Sequence, residues 1–163
     1  MELCTLVDTT GTPTGRTVPR GTSLAPGEYY PVVHVWIRDE AGYFLIQQRA
    51  FHLASGPGVW ATTVGYVQAG EDSLAGALRE VDEELGLRLP PACLRVLSYR
   101  AWETRFETRW VAEVARSVTG TPVLGPEVAD WKWVSKTELA QMVQEGIFFR
   151  YSYIEELLAN PDS

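Results

Sequence analysis

An α+β layered sandwich is the fold class this sequence predicts, and three observations predict it. Short apolar runs bounded by Gly, Pro and Asp recur along the chain, and two pairs of them are close enough to form hairpins. Two or three amphipathic helical segments interrupt these runs in mixed order, without strict strand–helix alternation. The chain has 163 residues with 45% hydrophobic content, which suits one domain with a substantial core.

The elements follow in order. Leu3–Val7 reads as a short strand, residues 8–15 as turn-rich, and residues 16–27, with Pro19, Gly21, Pro26 and Gly27, as a loop. Residues 1–28 are thus expected to be an N-terminal strand and loop extension within a single domain spanning 1–163. Residues 32–38 and 43–48 flank the turn between Asp39 and Gly42 as a hairpin. Residues 50–58 read as a loop, residues 60–64 as a short strand, and Ser73–Leu85 as a helix. Residues 94–102 and 106–115 make a second hairpin, and residues 128–134 a further strand. Ser135 caps a helix running to about Glu145, and a last helix covers residues 151–159.

The helix at 73–85 carries charges that helix stability does not favour. Asp72 and Ser73 are cap residues and Gly86 is suited to the position just past the end. Its last turns hold Glu80, Asp82, Glu83 and Glu84, with Arg79 as the nearby cation. A helix C-terminus is partially negative, so exposed acids there cost about 0.3–1 kcal/mol each. Glu80 and Glu84 are also a like-charge pair four residues apart. On a wheel, Leu74, Leu78, Val81 and Leu85 share a narrow arc facing a core, and Glu80, Glu83 and Glu84 cluster on a largely opposite arc. Carboxylates at i, i+3 and i+4 suit a hard divalent cation such as Mg²⁺, whereas a solvated acidic face is the plain structural alternative.

The segment from Gly65 to Glu71 decides between them, because the complete pattern resembles the Nudix box. Its elements are Gly65, five residues, Glu71, seven residues, Arg79-Glu80, aliphatic Val81, one residue, Glu83-Glu84, one residue, Gly86 and aliphatic Leu87. Nine specified positions over 23 residues match without departure. The resemblance extends weakly to Trp60 upstream and to Glu127 and Trp133 downstream. It implies an α/β/α sandwich with a mixed sheet. It also implies a hydrolase in which Mg²⁺, or Mn²⁺, is held by Glu80, Glu83 and Glu84 with the Gly65 carbonyl, while water attacks a diphosphate. A polyanionic substrate needs such cations to neutralise charge during attack.

Arg79 and Glu71 are expected to steady those ligands, and Gly65 and Gly70 to permit a tight bend. Glu83 and Glu127 are the candidates for the general base. Substrate contacts are expected from Arg49, at the end of a strand, and from Trp102, Arg105 and Arg109, a cationic and stacking wall in the second hairpin. A solvated sheet face accounts equally for Arg105, Glu107 and Arg109. His34, in a strand, is expected to be packed or hydrogen-bonded rather than catalytic.

Composition narrows the partners. A net charge of −7 and a pI near 4.8 argue against long nucleic acid bound through a basic surface. No apolar run reaches membrane-span length. Two cysteines, Cys4 and Cys93, lie far apart, and no signal-peptide pattern opens the chain, so a cytoplasmic setting is expected. The partner expected is a small-molecule diphosphate, and a homodimer stays open. Two rivals remain. One is an isopentenyl diphosphate isomerase, which shares the fold but uses a cysteine near the strand before the box, where residues 60–65 have none. The other is a catalytically silent nucleotide-binding module, which would usually have lost box carboxylates.

Overall fold

The computed structural model describes residues 1–160. Its centre is β3 (Tyr30–Asp39), a ten-residue strand whose alternate side chains feed two separate cores. Val33, Val35 and Ile37 point to one face, where they meet Ala77, Val81 and Leu85 of α1 (Ser73–Leu85). Trp36 points to the other and packs with Phe44, Ile46, Leu139, Tyr151, Tyr153 and Ile154. These belong to β4 (Phe44–Arg49), α3 (Lys136–Gln144), α4 (Ile154–Ala159) and the segment before α4. The outcome is the expected sandwich, with helices on both sides of a mixed sheet.

β3 forks. β4 pairs with its far end through Ile37 and Arg38, and β6 (Thr63–Tyr66) pairs with Val32 to Val35, both antiparallel. On its other edge β3 runs parallel to β8 (Arg105–Val114), which pairs with β7 (Leu94–Trp102). β9 (Val128–Val134) and β5 (Trp60–Ala61) both add to β4. The single strand expected at 60–64 is therefore two, broken at Thr62, because its halves join different partners. A short helix, α2 (Arg116–Thr119), follows β8.

The segment expected as a loop at 16–27 differs more. β1 (Leu3–Val7) pairs with β2 (Pro13–Pro19) in a separate two-stranded sheet. Pro13 and Pro19 sit at the two ends of β2, where a missing N–H is tolerated. This hairpin packs Cys4, Leu6 and Val18 against Tyr30, so Cys4 is a buried apolar filler. The last helix is also shorter than expected, beginning at Ile154, because Tyr151 and Tyr153 are drawn out of helical register into the core.

Tyr153 anchors a buried polar chain. Trp36 Nε1, a donor only, reaches the Tyr153 hydroxyl at 3.0 Å, and that hydroxyl lies 2.7 Å from His34 Nδ1. Pairing every donor has Tyr153 donate to Nδ1, which leaves the His34 proton on Nε2, 3.9 Å from Glu107 Oε1. Burial first, then the charges of Arg109 and Arg105, push the His34 pKa down to about 3. An unfolded chain takes up this proton near pH 6.5, so the group withdraws stability as pH falls from about 6.5 toward 3. Urea unfolding of His34→Gln, which keeps an acceptor for Tyr153, should show a pH slope flatter by up to about 1.4 kcal/mol per unit below pH 6. An unchanged slope would place the titration elsewhere.

Candidate active site

Helix α1 begins where Asp72 accepts from the Ala75 amide and ends at Gly86, whose φ of 63° is left-handed. Its end is unusual in what covers it. The segment before β9 lies across the last turn, with the Val123 amide donating to the Leu85 carbonyl (2.8 Å) and the Gly125 amide to the Glu84 carbonyl (3.0 Å). A Cβ on Gly125 would stand 2.1 Å from the Glu83 carbonyl oxygen, so only glycine allows this approach. The same crossing brings Glu127 close enough for its charge to act on Glu84.

Arg79 is the hub of the acidic face. Its Nε donates to Glu71 (2.8 Å), Nη1 to Glu80 (2.7 Å) and Glu83 (3.1 Å), and Nη2 to the Tyr66 carbonyl (2.8 Å). One planar fork thereby ties the loop after β6, β6 itself and the helix together. Burial alone would lower the Arg79 pKa, but hydrogen bonds to Glu80 and Glu71 outweigh it and the guanidinium stays charged. Glu71 also accepts from the Gln68 amide. From outside, the N-terminal hairpin braces this loop, through Ala69 N–H to the Leu3 carbonyl (2.7 Å) and Arg20 stacked 4.0 Å over Tyr66.

The three carboxylates differ in their surroundings. Glu83 is exposed, whereas Glu80 is buried beside β6 and Glu84 is half-buried against β4. Glu80 was expected on an arc largely opposite the core. It is buried because α1 packs against β6 as well as β3, and Gly65 has no side chain to keep it out. A Cβ on Gly65 would stand 2.0 Å from Glu80 Cδ. Gly65 is in regular strand pairing with Val33, so what its position demands is space, not a bend; Gly70, at φ 91°, takes the turn.

Glu84 accepts from Gln47 Nε2 (2.6 Å), and Gln47 Oε1 in turn accepts from Thr63 (3.1 Å). Burial pushes Glu84 up to about 8 and Glu80 up to about 7, the latter despite Arg79. The carboxylates do not converge on one point. Glu80 and Glu83 turn to Arg79 and Glu84 to Gln47, and among the described residues no three His, Cys, Asp or Glu stand grouped as a metal cluster. Like charges separate when each can take a cationic or neutral partner. The donor set is nonetheless all oxygen, and two of the three groups carry a burial penalty that a cation would relieve, which fits Mg²⁺ or Mn²⁺.

The other candidates divide. Arg49 lies near enough for its charge to act on Glu84, but its guanidinium donates to the Ser55 carbonyl at 3.1 and 2.8 Å. Trp102 and Arg105 close the β7–β8 hairpin, where Arg100 packs 4.4 Å over Trp102. Arg109 is not in that wall: it is buried, paired with Glu107 and stacked 3.8 Å over Tyr153. The solvated-face reading of Glu107 and Arg109 fails for the same reason. Gln47 and Thr63 escaped the sequence reading, although a polar residue alternating inward after Leu45 was the available signal.

A family model described as NUDIX domain matches residues 28–157. An uncharacterized Nudix hydrolase of Listeria monocytogenes is 34% identical over 145 residues, covering 88% of this chain and 86% of its own. An isopentenyl-diphosphate Delta-isomerase of Nocardia farcinica is 33% identical over 139 residues, covering 82% and 79%. A crystal structure from Deinococcus radiodurans has the same fold, with a TM-score of 0.73 at 20% identity over 96% of this chain and 97% of that one.

Gly65→Ala tests the space argument. The clash meets the far end of a flexible side chain, so the fold should survive, with melting within about 5 °C of wild type. Glu80 must swing off Arg79, and phosphohydrolase activity should fall about 10–100-fold. Full activity would show that Glu80 needs no such vacancy.

Proposed function

The chain belongs to the Nudix family, and on that premise we propose that it is a Mg²⁺-dependent hydrolase, with Mn²⁺ as a substitute, that cleaves a phosphoric anhydride in a nucleoside diphosphate derivative or related metabolite. The observation that carries the reading is the pair Glu80 and Glu84, one helical turn apart, both turned inward against the sheet and both held by partners that leave an oxygen free of protein donors. Glu80, Glu83 and Glu84 are the residues that would hold the ion, with the Gly65 carbonyl. When bound, the cation neutralises the diphosphate and lowers the barrier to attack by water.

The chain's own residues do the rest. Arg79 holds Glu80 and Glu83 and ties them to Glu71, so that these acids stay on the same side of α1. Gln47, oriented by Thr63, holds one oxygen of Glu84. Glu83 and Glu127 both sit exposed at the rim, where either can take the proton of the attacking water as the P–O bond to the leaving phosphate breaks. Water adds to phosphorus, the bridging oxygen leaves with the second phosphate, and no other reactant is required. A cytoplasmic setting accords with the two free cysteines.

The isomerase reading draws support from the Nocardia farcinica relative. Against it, residues 60–65 carry Thr62, Thr63 and Val64 where a cysteine is required. Cys4 is buried under the N-terminal hairpin, and Cys93 lies in the short turn before β7. The silent-module reading is disfavoured by the intact carboxylate set.

The test incubates the protein and Mg²⁺ with nucleoside di- and triphosphates, nucleotide sugars, dinucleotide cofactors, dinucleoside polyphosphates and prenyl diphosphates, and identifies the phosphate products. At least one should be hydrolysed, and Glu83→Gln should lower kcat by about 10²–10⁴ with the melting temperature preserved. Isomerisation without phosphate release, or turnover unaffected in Glu83→Gln and Glu84→Gln, would overturn the reading.

A further inference from the structure

The loop that carries Glu71 changes partner as it leaves the sheet. The Val67 amide still donates to the Pro31 carbonyl near the start of β3 (2.9 Å). Two residues on, the Ala69 amide donates to the Leu3 carbonyl of β1 (2.7 Å). β1 and β2 lie outside the NUDIX match at residues 28–157, yet they hold the loop of the box. A loop end tied once can swing about that tie, and a second tie removes the freedom.

Side chains of the hairpin hold the same stretch. The Arg20 guanidinium, just past β2, lies 4.0 Å over the Tyr66 ring. Tyr30 meets that ring in a T-shaped contact, with centroids 5.7 Å apart and planes at 76°. Both contacts are favourable, so the ring is clamped between them. Arg20 Nη1 also donates to Glu2 (3.0 Å), and Glu2 accepts from Gln68 Nε2 at 3.4 Å.

Tyr66 is the place where such a clamp reaches the acids. Its carbonyl takes Arg79 Nη2 (2.8 Å), and its neighbour Gly65 lies against Glu80. Successive positions of a strand face opposite sides, so the Tyr66 ring meets the hairpin while position 65 faces α1. A twist of this strand end would carry the Tyr66 carbonyl off Arg79. The fork that holds Glu71, Glu80 and Glu83 would lose its backbone anchor.

We propose that Arg20 is a positioning residue: by clamping Tyr66 it fixes the carbonyl that orients Arg79 and, through Arg79, the acids of the ion seat. The assignment rests on the hydrolase reading above and adds the N-terminal hairpin to the machinery of that same site. A purely electrostatic role has to be separated from this one. Glu2 is close enough for its charge to act on Glu80, and Arg20 balances that charge. The Arg20 side chain is 53% exposed, so truncating it opens no core cavity and the fold should persist.

The test compares the full chain with Arg20→Ala, Arg20→Lys and the double variant Glu2→Gln, Arg20→Ala. The first readout needs no metal: exchange of the Arg79 Nε–H proton with water, followed by nitrogen-15 NMR in EDTA. It should be at least about threefold faster in Arg20→Ala. The second is Mn²⁺ affinity from water proton relaxation, which should fall about three- to tenfold, with melting within about 4 °C of wild type. Arg20→Lys keeps a cation over the ring and should return both readouts to within about twofold of wild type. The double variant should match Arg20→Ala, since both have lost that cation. Unchanged exchange in Arg20→Ala, or a lower melting temperature with unchanged Mn²⁺ affinity, would overturn the proposal. So would failure of Arg20→Lys to recover, or recovery in the double variant, which would assign the loss to the bare charge of Glu2. If the wild-type protein takes up no Mn²⁺ while Arg79 exchange responds as stated, the hydrolase reading falls and the clamp on Arg79 stands.

Discussion

The guanidinium of Arg79 is the constraint on which the site depends. Its contacts reach Glu71 in the loop, the Tyr66 carbonyl at the end of β6, and Glu80 and Glu83 on α1. Without it, the loop between β6 and α1 would be tied to the helix by the packing of Val67 and by the Asp72 cap. Three carboxylates within reach of one cation form a network, which is worth more than an isolated surface pair. Arg79 therefore does two things with one group: it fixes backbone geometry and it holds acids apart that would otherwise repel.

That arrangement has a thermodynamic cost. Glu80 and Glu84 stand at the negative end of α1, inward, with burial resisting their ionisation. The fold offsets this elsewhere. Two apolar layers flank β3, the loop at 123–125 satisfies the last carbonyls of α1, and a capping box at Ser135 and Glu138 starts α3. Gly65 and Gly125 matter because backbone and carboxylate come closer there than any side chain would permit. A strained acidic seat on a well-packed frame is the pattern expected when a ligand supplies the missing charge.

Much of this was legible in the sequence because the box is local. The span Gly65 to Leu87 fixes a strand, a loop and a helix whose caps are their own signals, and the structure returns Ser73–Leu85 with Asp72 and Gly86 as caps. What escaped was non-local. A helical wheel places Glu80 opposite the core, but it cannot know that β6 arrives on that side with a glycine. Gln47 meets Glu84 across 37 residues, and Tyr153 covers Arg109 across 44. The proline-bearing β2 looked like a loop, since only pairing with β1 makes it a strand. Strand alternation did put Glu107 and Arg109 on one face, but burial of that face was decided by the C-terminal segment folding over it.

The inward acids of α1 are proposed here as the seat of one divalent ion. Titration of Mn²⁺ followed by electron paramagnetic resonance of the free ion measures this directly, with and without a bound diphosphate. The wild-type protein should show one saturable site per chain, lost when Glu80 and Glu84 are both replaced by Gln. No binding in the presence of diphosphate, or equal affinity in the double variant, would contradict it.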